Sequence, residues 1–204
     1  MDKPSKEYLN NLIIETHKKF NDYECDFSDT QTADVTYVCT KKRNLMGMKS
    51  GIAGLAEMET YNVKESQSIR PNCKYYNKFY KENGEVKRID CIVGGHNEID
   101  VVYIAHYDGN RRYLFPYFEN HEKAVGYYVI VTEYDGENVI EEYMSNDSQI
   151  VFEQYDFSNR NKVGYYCTNY VPNGTFSALG ESEGEYNADS LEYKPISNYV
   201  WCDK

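Results

Sequence analysis

The densest set of side chains able to do acid–base or metal chemistry lies between residues 96 and 121: His96, Glu98, Asp100, His106, Asp108, Arg111, Arg112, Glu119 and His121. His106 and Asp108 are two residues apart, so on a strand they share a face. A hydrolase or nuclease centred on His96–His121 is therefore one function this stretch could support. The local sequence argues against it. Asp108 precedes Gly109, a pair that favours a turn, where an Asp serves the backbone. His96 and His121 also adjoin turn residues. There is no HExxH and no paired-carboxylate motif. The expectation is a solvated hairpin region with no catalytic residue, no cofactor and no metal.

Other nucleophile and phosphate motifs are equally weak. Cysteines stand at 25, 39, 73, 91, 167 and 202, with no CxxC and no Cys/His set at zinc spacing. Pairing any thiol with any of four histidines means nothing without geometry. Cys39 and Cys91 fall in apolar β runs, where a buried, inert thiol is the default. With no export signal, all six cysteines read as reduced thiols. No GxSxG elbow occurs. Gly47-Met-Lys-Ser-Gly51 has the letters of a phosphate loop in the wrong order, since Lys49-Ser50 precede the second glycine. Lys41, Lys42, Arg43 and Lys49 form a basic cluster, but a net charge of −11 repels a polyanion. An acidic segment of the same chain suits that cluster better.

Charge distribution is the stronger signal. Residues 133–204 hold 14 acids against 4 bases, a net of −10, whereas residues 1–132 hold 19 against 18. Folding does not require this imbalance. Like charge weakens the compact state, but it attracts and steers a basic partner. Glu133, Asp135, Glu137, Glu141, Glu142, Asp147, Glu153 and Asp156 fall on successive predicted strands and their turns. Glu181, Glu183 and Glu185 follow in the tail, and Tyr143 and Tyr155 are mixed among the acids. Carboxylates about 7 Å apart on a strand imitate the phosphates of a nucleic-acid strand, and tyrosines supply desolvated anchors. These residues predict a non-enzymatic acidic inhibitor. It would mimic nucleic acid and occupy the basic channel of a nuclease or other nucleic-acid-binding protein, binding neither nucleic acid nor membrane itself. Phage anti-defence proteins, anti-CRISPR and anti-restriction, act this way as a class. Immunity proteins that neutralise nuclease toxins use the same physics, and composition does not separate the two.

A β-rich scaffold must position these groups. The chain has 22 Tyr against 8 Phe and 1 Trp, and Tyr suits half-buried strand faces. Mean hydropathy is −0.75, and no apolar run approaches the roughly 20 residues that span a bilayer. The first residues lack an apolar leader, so a cytoplasmic protein is expected. Leu9, Leu12, Ile13, Thr16 and Phe20 recur at helical spacing after Ser5, which predicts a helix over 5–21. Residues 33–73 are mixed, with a strand at 33–39 and a short helical segment near 50–58. From 74 to 171 the pattern is β, with strands at 74–81, 86–93, 100–107, 111–118, 124–134, 138–144, 149–156 and 163–171. Asn83-Gly84, Gly94-Gly95, Asp108-Gly109 and Asp135-Gly136 punctuate them. Within 124–134, Val125, Tyr127, Val129 and Val131 should face one way. Val101–Tyr107 is apolar on both faces and should be central. Residues 172–190, rich in Gly, Ser and acid, read as a long loop, and Trp201 should dock the C-terminus back onto the body. The fold class is α+β: one domain, a helix packed on a large twisted antiparallel meander that can curl into a half-barrel.

Overall fold

The computed structural model describes residues 2–27, 34–40, 65–69, 73, 75–93, 98–159, 162–172, 179–187 and 192–202. The helical segment expected near 50–58, the basic cluster 41–49, Gly94-Gly95 and His96 lie outside the described residues. One helix, α1 (Lys6–Asp22), precedes strands β1 (Asp34–Thr40) and β2 (Glu65–Ser66). An unbroken run follows: β3 (Tyr75–Glu82), β4 (Glu85–Val93), β5 (Glu98–Asp108), β6 (Arg111–Tyr117), β7 (Val129–Asp135), β8 (Asn138–Ser145), β9 (Ile150–Asn159), β10 (Lys162–Tyr170), β11 (Leu179–Asn187) and β12 (Glu192–Cys202). All join one antiparallel sheet in the order β12 down to β3, then β1 and β2. The sheet is open, with β12 at one edge and β2 at the other.

Local chemistry accounts for these elements. The Ser5 hydroxyl accepts the Tyr8 N–H at 3.1 Å and caps α1. Leu9, Leu12, Ile13, Thr16 and Phe20 are its buried stripe. At its far end the Lys123 ammonium donates to the carbonyls of Phe20 and Asn21 at 2.8 and 2.6 Å, occupying acceptors that a helix terminus leaves open. Asn83 and Gly84 both have positive φ, 52° and 85°, as a type I′ hairpin turn requires. The next hairpin differs from the sequence reading. Asp108 pairs with Arg111, so the two-residue loop is Gly109-Asn110, with Gly109 at φ 61° in its first position. Asp108 ends a strand, and its carboxylate meets Lys19 rather than the turn backbone.

Helix α1 crosses the sheet diagonally. Its N-terminal turn places Tyr8 edge-on to Phe152 of β9, and its last turn stacks Phe20 on Phe115 of β6. The covered face holds Val102, Ile104, Tyr113, Phe115, Val129, Val131, Tyr143, Phe152 and Tyr166 in one core with the helix. The opposite face holds Phe79, Ile89, Cys91, Val101, Tyr103, Leu114 and Ile130 in a second core. Residues 101–104 of β5 are buried in succession, alternating between the two cores. This strand is central and covered on both sides, as its apolar run implies.

Several expectations are corrected. Strand β7 begins at Val129, not 124. Gly126 at φ 91° and the Tyr127 N–H to Ala124 carbonyl bond turn the chain just before it, leaving Val125 69% exposed. The tail is not a long loop: residues 179–187 pair with β10 and with β12. Pro195 and two register shifts interrupt the β11–β12 ladder, features that discourage edge-to-edge pairing. Trp201 is in β12 opposite Gly180. Finally, not all cysteines are reduced. Cys39 and Cys73 form a disulfide, while Cys25, Cys91 and Cys167 are free thiols.

Candidate functional site

The acids of 133–156 divide by strand alternation into two faces. On the α1 face, Glu133 receives the Arg111 guanidinium at 2.7–2.8 Å and the Asn110 amide at 3.1 Å. Its cross-strand neighbour Glu141 accepts the Tyr8 phenol at 2.9 Å. Burial pushes the Glu141 carboxyl above its ordinary range, although the Tyr8 hydrogen bond opposes this. Tyr143, buried on the same face, accepts the Thr16 hydroxyl at 3.5 Å. Glu141 and Tyr143 bind α1 to the sheet, while Glu133 ties β7 to the β5–β6 hairpin.

On the other face lies a polar row one residue wide. Direct cross-strand register runs from Arg112 to Thr132, Glu142, Glu153 and Cys167. Arg112 donates to the Thr132 hydroxyl at 2.9 Å, which donates to Glu142 at 3.0 Å. Glu142 is 3% exposed. The buried Tyr155 donates its hydroxyl to Glu153, and burial, with the two glutamates beside it, pushes that phenol up. Glu142, Tyr143 and Tyr155 are therefore interior groups and cannot be first contacts for a partner. Strand periodicity hid this, because alternation says which residues share a face but not which face is covered.

Exposed acids gather at the ends of strands. Asp135 ends β7, Glu137 lies in the β7–β8 turn, and Asp147 stands exposed in the β8–β9 turn at the opposite end. Asp156 accepts the Ser158 N–H at 2.9 Å, and that bond holds its carboxyl below the usual range. Asp2, Asp135 and Asp156 line a groove of about 670 Å³ with Asn138, Gln154, Tyr155 and Phe157.

Strand β11 carries the rest. Glu181, Glu183 and Glu185 pair with Thr168, Tyr166 and Gly164 of β10, so all three lie on one face. It is the α1 face, because Tyr166 belongs to the helix-side core. Strand rise sets them about 6.6–6.8 Å apart along the strand. Glu185, Gly164 and Asp156 share one cross-strand row. Gly164 keeps that row open: a Cβ there would sit 3.2 Å from the Asp156 Cβ. Sequence reasoning chose these glutamates but put them in a loop. The signal for a strand was present in their strict i, i+2, i+4 spacing.

The histidines of the alternative site are packed with aromatics. His106 lies 4.8 Å from Tyr23 and 6.2 Å from Phe115, ring to ring. Burial, and then Lys19, hold its pKa below the ordinary value. His121, at φ 70°, stacks on Phe27 at 3.9 Å. Among the described residues, no three His, Cys, Asp or Glu side chains are grouped to hold a metal ion, and no helix is long and apolar enough to cross a membrane. No known protein family matches the chain, and neither a curated protein nor a solved structure is similar to it.

Proposed function

We propose that the protein is a non-enzymatic acidic inhibitor that binds a basic nucleic-acid-handling protein in place of nucleic acid. The observation that carries this reading is the line of Glu181, Glu183 and Glu185 along one face of β11, with Asp156 in the row of Glu185. A spacing of about 6.6–6.8 Å is close to that of successive backbone phosphates. Asp135 and Glu137 add charge at the β7–β8 turn, while Glu133, Glu141, Glu142, Tyr143 and Tyr155 serve the scaffold. The compartment is the cytoplasm, where such nucleases act. Guanidinium and ammonium groups that grip phosphates would meet carboxylates held by a rigid sheet, with long-range attraction speeding the encounter.

The test is nuclease protection. Restriction endonucleases, RNA-guided effector nucleases and toxin-type DNases are assayed on plasmid DNA with the wild-type protein and with a Glu181→Gln/Glu183→Gln/Glu185→Gln variant. The reading expects at least one enzyme to be inhibited, with inhibition relieved by excess DNA and weakened tenfold or more in the variant. Inhibition confined to a toxin-type DNase would make the protein an immunity protein. Equal potency of variant and wild type would refute the mimicry.

A further inference from the structure

We propose that the helix-side face of β10 and β11 holds a binding site for a cationic side chain, and that Lys3 of the same chain occupies it as a stand-in for a partner's lysine or arginine. The proposal rests on the function proposed above and adds an aromatic floor to its line of carboxylates. The Lys3 ammonium lies over the Tyr166 ring, 5.6 Å from its centroid, within reach of a cation–π contact. Tyr166 stands directly opposite Glu183 of β11 on one side and Gln154 of β9 on the other. A ring beneath the cation and a carboxylate-bearing strand beside it are what attract an ammonium or guanidinium group.

The fold sets Lys3 there. The first turn of α1 is pinned to the sheet by Tyr8, which donates to Glu141 of β8 at 2.9 Å and meets Phe152 of β9 edge-on. Ser5 caps the helix just before that turn. Residues 2–4 therefore leave the helix over β9 and β10. Asp2 enters the groove beside Gln154 and Asp156, and Lys3 reaches Tyr166 one strand further on. Pro4 stiffens this arm by fixing its own φ. The arm thus runs alongside β11, on the face that carries Glu181, Glu183 and Glu185.

This contact can be exchanged. Lys3 is exposed, and a cation–π contact at an exposed position is weak. Tyr166 is buried with the Lys3 ammonium over its ring, so a second cation gains that ring only once Lys3 has moved. An incoming arginine stacks on an aromatic face with a planar, more weakly hydrated guanidinium, and is the better ligand. The chain holds back its own acidic strand until a partner with enough positive charge displaces the arm.

Binding of a fluorescein-labelled hexa-arginine peptide to the full chain, read by fluorescence anisotropy at low salt, tests this. Lys3→Gln removes the resident cation from an exposed position ahead of the helix cap, and should tighten peptide binding by about threefold or more. Lys18→Gln makes the same change of charge near the far end of α1, where Lys18 pairs with Asp22, and should tighten it far less. In a Glu181→Gln/Glu183→Gln/Glu185→Gln background the gain from Lys3→Gln should vanish. Equal effects of the two lysine changes would reduce the result to net charge and overturn the proposal. So would a gain that survives in the triple variant, or no peptide binding by wild type and Lys3→Gln alike. The two readings fail separately. Nuclease inhibition with the two lysine changes equivalent leaves the mimicry and removes the stand-in. A gain specific to Lys3 with no nuclease inhibited removes the mimicry and leaves the cation site.

Discussion

Strands β8 and β11 both carry closely spaced glutamates, and the structure treats them differently. In β8 the two neighbours point to opposite faces and each meets a specific donor. Glu141 takes the Tyr8 phenol and Glu142 the Thr132 hydroxyl. They are part of how α1 and the polar row are held. In β11 the glutamates recur every second residue, so the strand sets them all on one face in a line. An acid count lumps these together. The β8 glutamates are bound to named donors in the helix and the polar row, whereas the β11 glutamates share a face by register, with Lys194 of β12 opposite Glu185. The row of Glu185 runs through Gly164 to Asp156 on one side and meets Lys194 of β12 on the other.

The sharpest way to break this comparison is to disturb the helix-covered core and ask whether the acidic strands notice. Phe152 is fully buried and touches both Tyr8 and Tyr143. Phe152→Ala should cost about 3–5 kcal/mol in urea unfolding. A cost below 1 kcal/mol would mean that α1 does not anchor the sheet.

Glutamate substitutions on the two strands sharpen it further. Glu142→Ala leaves the buried Thr132 hydroxyl without its acceptor and should cost about 1–3 kcal/mol. Glu142→Gln, which keeps an acceptor, should cost less. Each Glu→Gln change at 181, 183 or 185 should stay within about 0.5 kcal/mol, and the triple change should raise stability at low salt by relieving repulsion. Equal losses on β8 and β11 would erase the distinction.

Smaller still is a pH effect at the helix end. The folded-state pKa of His106 is lowered by burial and Lys19, so the unfolded chain binds this proton more readily. The contribution is complete above the unfolded value of about 6.5 and is lost as pH falls through the lower folded value. Glu141 acts in the opposite sense, since burial raises its pKa and favours the folded state at lower pH. His106→Phe should therefore flatten the decline in melting temperature as pH falls below about 6.5. An unchanged profile would show that His106 is not the group titrating.

Much of the fold could be read from the residues. The stripe from Leu9 to Phe20 dictated the helix and its buried face. Asn83-Gly84 is a hairpin loop as its residues imply, whereas at Asp108-Gly109 and Asp135-Gly136 only the glycine, at positive φ, is in the loop and the aspartate ends a strand. What escaped had physical causes. Gly-rich, acidic 179–187 lacks the apolar alternation that marks a strand, yet it pairs on both sides, its register set by neighbours. The Cys39–Cys73 bond needs the two chain positions brought to a Cα separation of 5.9 Å, which sequence spacing alone does not reveal. Glu142 and Tyr155 were chosen as partner contacts because their types fit. Their burial follows from what the tertiary structure lays over that face.

The most direct test of the central claim is the salt dependence of inhibition of a nuclease from the protection panel. Inhibition constants for the wild-type protein and the Glu181→Gln/Glu183→Gln/Glu185→Gln variant would be measured from low to physiological salt and beyond. The account predicts that wild-type affinity falls steeply with salt and that the variant shows both weaker inhibition and a shallower slope. Identical slopes for the two proteins, or a wild-type affinity indifferent to salt, would contradict it.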